Sequence, residues 1–255
     1  MLNKMDQWGK KNVVDFYVNN RNKLSDLYDS EKVPLKKVNK SKIKDILDFG
    51  CAVGGFYNIF LKIFNKKIVY HGFDTEINVI KEARRKFKLN KNAKFFKIDK
   101  KNKKISSKKY SLTFCTGVLN HNENYKSIIK ELIRCSSKYV FIDSPRVHLG
   151  KSFIGKLNLT KRFPSELRED NVVNNLTVNF KEYLIFLKKV FKDNGIKNAL
   201  FFSDYLPYKK RYLKINKKIS FLTFSCSKVN SGKNKIQFIC KNKEMKKIFN
   251  NIFKK

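Results

Sequence analysis

The chain is poor in the residues that break regular structure: its 255 residues include only 4 Pro and 10 Gly. That scarcity excludes collagenous, linker-dominated and low-complexity architectures. Apolar runs are short, and none approaches the ~20 residues that a membrane-spanning helix needs. The opening stretch, MLNKMDQWGKKNVV, lacks the apolar core of a secretory signal. Cys51, Cys115, Cys135, Cys226 and Cys240 are odd in number and contain no C-x-x-C pair, so no disulfide framework or thiolate metal site is indicated. Cys115, Cys226 and Cys240 sit inside apolar runs, as small buried residues of a reducing compartment do. The expected location is the cytoplasm, and nothing in the sequence calls for a metal ion.

Acidic residues are scarce too: 21 Asp and Glu stand against 58 Lys and Arg, a formal net charge of +37. Such an excess suggests nucleic acid or an anionic membrane surface as a partner. Its make-up points elsewhere. Only 8 of the basic residues are Arg, the side chain suited to bidentate phosphate recognition. The lysines are spread along the whole chain, and Lys, Asn, Ile, Phe and Tyr share A/T-rich codons, so drift in genome composition yields the same profile. Nucleic acid and peripheral membrane contact therefore remain the lesser alternatives to a small-molecule partner.

What the sequence does have is alternation, over a length that suits one sizeable α/β domain with an appendage. Short apolar runs at 45–49, 67–74, 93–99, 110–117 and 138–143 alternate with helical periods at 54–64, 76–87 and 125–135. This is the pattern of a mainly parallel sheet with helices on both faces. A further helix is predicted over 180–193, stopped by Asn194-Gly195. The runs 198–205, 220–229 and 235–241 compete for the last two strands. Residues 11–28 predict one or two N-terminal helices, in a region ended by Pro34. Near the C-terminus, Met245, Ile248, Phe249, Ile252 and Phe253 form one helical stripe, fit for packing on the domain or for lying in a membrane interface. The organisation read from this is a helical cap over 1–40, a main domain over 41–229 and a basic strand–helix extension over 230–255. Residues 147–178 exceed the about 12–15 residues of an ordinary connection, which marks them as a lid.

The chemistry concentrates in ILDFGCAVGGF. A strand ends at Asp48 and turns through Gly50, Gly54 and Gly55 into a helix. Glycines let a ligand approach the backbone and permit positive φ, and the ligand then lies at a helix N-terminus on the carboxyl edge of a parallel sheet. Two cofactor classes use such a turn. A dinucleotide needs G-x-G-x-x-G around its pyrophosphate. Here Gly50, Ala52 and Gly55 offer only G-x-A-x-x-G, and Asp48 is a poor neighbour for a pyrophosphate. S-adenosylmethionine carries no phosphate, and its ammonium and sulfonium suit an acid such as Asp48. Asp74, ending the second strand, is placed to accept from ribose hydroxyls, and Asp99, ending the third, from the adenine amino group.

This order of acids around a glycine loop resembles the class I S-adenosylmethionine-dependent methyltransferases. The stretches that carry the resemblance are LDFGCAVGG, GFDTEINVIKEA, FFKID and YSLTFCTGVLNH, within about residues 41–143. It implies a Rossmann-like α/β fold with a mainly parallel seven-stranded sheet and helices on both faces. It also implies S-adenosylmethionine as cofactor, held by Asp48, Gly50, Cys51, Gly54, Asp74, Thr75, Asp99 and Thr116. Ala52 departs from the family's glycine and is accommodated if its φ stays negative.

The methyl acceptor is approached through absences. After the fourth strand the chain reads CTGVLN, without the [DN]-P-P-[YF] turn of amino-group methyltransferases. Thr116 and Gly117 stand where ribose 2′-O methyltransferases of ribosomal RNA carry a catalytic Asp. The segment GVLNHNENY (117–125) resembles small-molecule and glycan methyltransferases instead, with His121 as candidate base for a hydroxyl or carboxyl acceptor. Arg146, His148, Arg162 and Arg168 are candidate grips for an anionic acceptor, and Tyr28, Ser30 and Glu31 are placed to cover the cofactor. The expected function is O-methylation of a small molecule or glycan precursor. An RNA methyltransferase and a non-catalytic cofactor-binding module are the alternatives.

Overall fold

A computed structural model describes residues 6–64, 67–99, 104–158, 172–204, 219–229 and 234–254 of the chain. Two helices, α1 (Lys11–Asn19) and α2 (Asp29–Leu35), precede the sheet. Next come β1 (Asp45–Phe49), α3 (Gly55–Phe64), β2 (Val69–Asp74), α4 (Ile77–Lys86) and β3 (Ala93–Lys97). A further crossover follows: β4 (Tyr110–Cys115), α5 (Tyr125–Cys135) and β5 (Ser136–Asp143). Three strands, β6 (Arg146–His148), β7 (Phe153–Asn158) and β8 (Val172–Asn179), lead to α6 (Phe180–Asp193). The chain finishes with β9 (Asn198–Asp204), β10 (Phe221–Ser227), β11 (Lys235–Cys240) and α7 (Lys243–Phe253).

The main sheet has eight strands in the order β11-β9-β10-β5-β4-β1-β2-β3. Only β10 runs antiparallel to its neighbours, β5 and β9. From β1 the chain builds outward through β2 to β3, and from β4 it builds the other way. The crevice where these directions part lies at the carboxyl ends of β1 and β4, the place where open α/β sheets hold ligands. Side chains alternate between two cores, as a sheet covered on both faces requires. Leu47, Val140 and Ile142 join the core with α5, α6 and α7. Ile46, Leu112, Phe114 and Phe141 join the core with α2, α3 and α4.

Several boundaries follow from local chemistry. The Asn179 side chain caps α6 by accepting from the Glu182 amide at 2.9 Å, and Gly195 at φ +62° follows its end. Pro34, predicted to close the N-terminal region, lies inside α2 instead. Proline has no N–H to give the Ser30 carbonyl one turn back, and the Thr223 hydroxyl of β10 donates to that carbonyl. The Ser225 hydroxyl donates to the Pro34 carbonyl at 3.0 Å, so β10 tethers α2 through two hydroxyls.

One expectation needs correction. The sheet has eight strands rather than seven, because all three late apolar runs are strands; β11 adds to the outer edge of β9 in parallel. With it comes α7, whose Met245, Phe249 and Ile252 are buried in the main core, so its apolar stripe serves packing. Within the stretch read as a lid over 147–178, the described residues include β6, β7 and β8. These strands form a second, three-stranded sheet in the order β6-β8-β7, beginning at Arg146. Arg162 and Arg168 lie outside the described residues.

Candidate functional site

Between β1 and β2 the chain must reverse tightly to enter α3. Gly50 (φ +77°) and Gly54 (φ +76°) take the left-handed region, and a Cβ on Gly50 would lie 2.1 Å from Val118 Cγ2. Ala52 also has positive φ, +47°, which corrects the expectation of a negative one. An L-residue there costs about 1–2 kcal/mol. The geometry is held by Asp74, whose Oδ2 accepts from the Ala52 amide at 3.0 Å. Glycine at this position removes the clash at some cost in chain entropy, so Ala52→Gly is expected to stabilise the protein by up to about 1 kcal/mol. Thermal unfolding reads this as a rise of about 2–4 °C; a fall contradicts the strain.

The loop borders a cavity of about 720 Å³ at the carboxyl ends of β1, β2 and β4. Gly50, Cys51, Asp74, Thr75, Asp99, Thr116 and His121 all line it. Asp74 Oδ1 accepts from the Glu76 amide at 3.0 Å, so one carboxylate fastens both the glycine loop and the turn into α4. Burial pushes Asp74 up to about 6, against these hydrogen bonds. Thr75 Oγ1 donates to Glu76 Oε1 at 3.4 Å. Asp99 is exposed two residues beyond the end of β3, beside Ile98. Burial drives the Cys51 thiol well above its ordinary range, which makes it a packing group rather than a nucleophile.

Asp48 and Gly54 do not line the cavity. Asp48 shares a strand face with Ile46, which pairs with Tyr70 on β2. Its carboxylate therefore lies beneath the loop, accepting from the Tyr70 hydroxyl, and burial raises it to about 7. Its part is to support the floor from below. Gly54 packs on Phe95, whose Cε1 a Cβ would meet at 2.5 Å.

The N-terminal cap closes one side. Glu31, 2% exposed, accepts from Arg21, from the Tyr28 amide at 2.9 Å and from Thr116 Oγ1 at 2.9 Å. Arg21, at φ +63°, stacks its guanidinium 4.6 Å from the Tyr28 ring and 5.1 Å from Phe56. Burial alone would lower its pKa; the Glu31 carboxylate outweighs that and raises it. Tyr28 and Ser30 line the cavity with Glu31, as the sequence led one to expect. Arg21, Trp8 and Asp143 line it as well and were missed. Asp143 ends β5 as Asp74 ends β2, so the strand-end logic that found one would have found the other.

On the opposite side, the His121 ring packs against Trp8 at a tilt of 54°, with centroids 4.9 Å apart. Its Nδ1 lies 2.7 Å from the Asn174 carbonyl on β8, and Nε2 lies 2.8 Å from Asn120 Nδ2. These partners assign the proton to Nδ1 and leave Nε2 accepting from the amide. In this arrangement both ring nitrogens of His121 are engaged, and the ring joins the β4 loop to the small sheet. His148 is turned away, with Nε2 against the Lys151 carbonyl, and it does not line the cavity. Arg146 does.

An eight-stranded Rossmann-like sheet with a glycine turn and a strand-end acid at its switch point defines a class I methyltransferase fold. The O-methyltransferase of a trans-AT polyketide synthase multienzyme from Brevibacillus brevis, bound to S-adenosyl-L-homocysteine, superposes with a TM-score of 0.52 at 16% identity, covering 76% of this chain and 70% of that one. The plantazolicin methyltransferase BamL, with a triazolic desmethyl analogue and S-adenosylhomocysteine, gives 0.54 at 15%, covering 89% and 94%. The N-terminal domain of EvdMO1, in the presence of S-adenosylhomocysteine and D-fucose, gives 0.54 at 10%, covering 80% and 84%. Among curated proteins none matches the sequence. Residues 40–251 match the methyltransferase domain family, and the chain belongs to it. It is a methyltransferase.

Proposed function

We propose that the protein O-methylates a small molecule or a glycan precursor, in the cytoplasm. The observation that carries this reading is the charge of the cavity. In a chain of net charge +37, six carboxylates among the described residues line it: Glu31, Asp74, Glu76, Asp99, Glu131 and Asp143. The basic side chains among the described lining residues are Arg21, Lys104 and Arg146. Such a site suits a cationic cofactor and repels a polyanion, and the cap and small sheet wall it in. That EvdMO1 was studied with D-fucose and the Brevibacillus protein is an O-methyltransferase supports the acceptor class.

The bound cofactor supplies a methyl group already activated by its sulfonium. The protein's part is to hold the partners in line. Asp74 takes the ribose hydroxyls, Asp99 the adenine side, and the Gly50–Ala52 backbone the methionine portion. Arg21, above the start of α3, takes the methionine carboxylate. Labelled methyl groups are expected in the small-molecule or glycan fraction of a cell extract. Label in RNA would promote the RNA methyltransferase, and cofactor binding without label in any fraction would indicate the non-catalytic module.

Cofactor affinity should follow the ionisation of Asp74. Two ribose hydroxyls donating to one carboxylate favour its charged form, so binding near pH 6 releases protons. Affinity then weakens as the pH falls through about 6, approaching a tenfold loss per unit. For the empty protein the sign is opposite. A folded pKa raised above the unfolded value of about 3.9 means that stability is lost as pH rises from about 4 to 6. Calorimetry in buffers of different ionisation enthalpy measures the released protons; an affinity flat from pH 5 to 8 contradicts the assignment.

A further inference from the structure

In the sheet order β5-β4-β1-β2-β3, a cofactor with its adenine at β3, ribose at β2 and methionine portion at β1 leaves the carboxyl ends of β4 and β5 to the acceptor. Asp143 ends β5. Cys115 of β4 pairs with Ile142 of β5, so Asp143 stands level with Thr116 at the start of the loop after β4. It lines the cavity there.

The two oxygens of Asp143 are used differently. Oδ2 accepts from the Gly117 amide at 3.2 Å. Oδ1 lies 3.8 Å from Arg146 Nη1, too far for a hydrogen bond, and no donor among the described residues reaches it. Arg146 is held on the Phe221 ring, 3.7 Å from its centroid, and its Nε and Nη1 are sealed within the protein, whereas Asp143 Oδ1 is not one of the sealed atoms. The other described carboxylates of the cavity are committed elsewhere. Both oxygens of Asp74 hold backbone amides. Glu31 accepts from Arg21, Tyr28 and Thr116, and Glu131 from Arg134 and the Ile105 amide. Glu76 and Asp99 follow β2 and β3, on the cofactor's side. Trp8, Tyr17, Tyr28, Phe56 and Phe221 also line the cavity, walls suited to a flat aromatic ring.

We infer that Asp143 is the catalytic base of methyl transfer and that the acceptor it serves is a phenol, an assignment that rests on the cofactor reading above and narrows its small-molecule class. The hydroxyl oxygen attacks the methyl carbon while its proton passes to Asp143 Oδ1. The C–O bond forms, the C–S bond breaks with its electron pair left on sulfur, and the proton goes to water after the ether departs. Burial, the largest influence, raises Asp143 to about 6; Arg146 on β6, the Gly117 amide and Arg21 pull it down, and Glu31 on α2 pushes it up. Cys115 on β4 and Tyr183 on α6 also face it, and burial holds both neutral. Asp143 is thus ionised at neutral pH and lies about four units below a phenol near 10, a gap that an aliphatic alcohol widens greatly.

The test combines calorimetry and turnover with phenol, 4-nitrophenol and their methyl ethers. On the protein saturated with S-adenosylhomocysteine, phenol is expected to bind at least tenfold more tightly than its methyl ether, because Asp143 accepts the O–H. In Asp143→Asn the Gly117 amide keeps the side-chain oxygen and turns the NH2 toward the acceptor. That preference should then fall to within about twofold, with S-adenosylhomocysteine affinity within about threefold of the unmodified protein. With saturating S-adenosylmethionine, Asp143→Asn should lower kcat for phenol at least about 100-fold and spare 4-nitrophenol at pH about 8.5, where it ionises without a base. An equal loss for both phenols would make the residue structural, and full activity toward both would make it dispensable; either overturns the proposal. Where the variant does not fold, the unmodified protein decides: with cofactor saturating, so that Asp74 does not contribute, kcat for phenol should fall about tenfold per pH unit below about 6. A flat profile overturns the proposal. So do the absence of any methylated phenol, the absence of a preference over the methyl ether, and a large loss of S-adenosylhomocysteine affinity in Asp143→Asn, all of which leave the cofactor reading standing. Failure of the unmodified protein to bind S-adenosylhomocysteine removes the cofactor reading and the proposal with it.

Discussion

Asp74→Ala is expected to weaken S-adenosylmethionine binding by about 100-fold or more, equivalent to about 2.7 kcal/mol at 25 °C. Part of the loss is direct, since charge-assisted hydrogen bonds contribute about 1.5–3 kcal/mol each. The rest is organisational: Asp74 accepts from the Ala52 and Glu76 amides, one on each oxygen. Without it the loop loses the anchor that holds Ala52 at positive φ. Asp74→Asn is no conservative exchange, because an amide NH2 would face one of those backbone donors. Calorimetry on the two variants should show both impaired, Ala the more so. Wild-type affinity in Asp74→Ala would remove the ribose assignment.

The second large effect concerns stability. Glu31→Ala leaves the Arg21 guanidinium buried against Tyr28 and Phe56 without its carboxylate. Removing one partner of a buried ion pair costs about 3–5 kcal/mol. In a chain of this size that is a fall of about 10 °C in the unfolding midpoint, at about 2–4 °C per kcal/mol. The double variant Arg21→Met/Glu31→Leu should recover most of the midpoint, since apolar replacement of a buried pair is often neutral. Cofactor affinity should stay low in that double variant, because Arg21 is gone. Recovery of stability together with cofactor affinity would make the pair purely structural. An unchanged midpoint in Glu31→Ala would show that the pair contributes nothing.

The sequence made some of this legible and hid the rest for identifiable reasons. Periodicity and capping defined α6 over its full span, because Asn179 and Asn194-Gly195 mark both ends chemically. The place of Asp74 at the cavity was readable because it ends a strand at the carboxyl edge of the sheet. Asp48 obeyed the same rule and was misplaced, since its direction depends on pairing with β2: the register that sets Ile46 opposite Tyr70 also sends Asp48 under the loop. His121 was found as a cavity residue, but the partner of its Nδ1 is Asn174, 53 positions away. The Arg21–Glu31 pair needs a left-handed residue to bring a helix end back on itself, and no local pattern announces that. Eight strands went unrecognised because two slots were allowed for three equally apolar runs.

A crystal structure of the protein with S-adenosylhomocysteine tests the central claim most directly. The ribose hydroxyls are expected on the Asp74 carboxylate, the adenine beside Ile98 and Asp99, and the amino-acid end between the Gly50 turn and Arg21. A ligand bound elsewhere, or one lying in this cavity with its ribose away from Asp74, would contradict it.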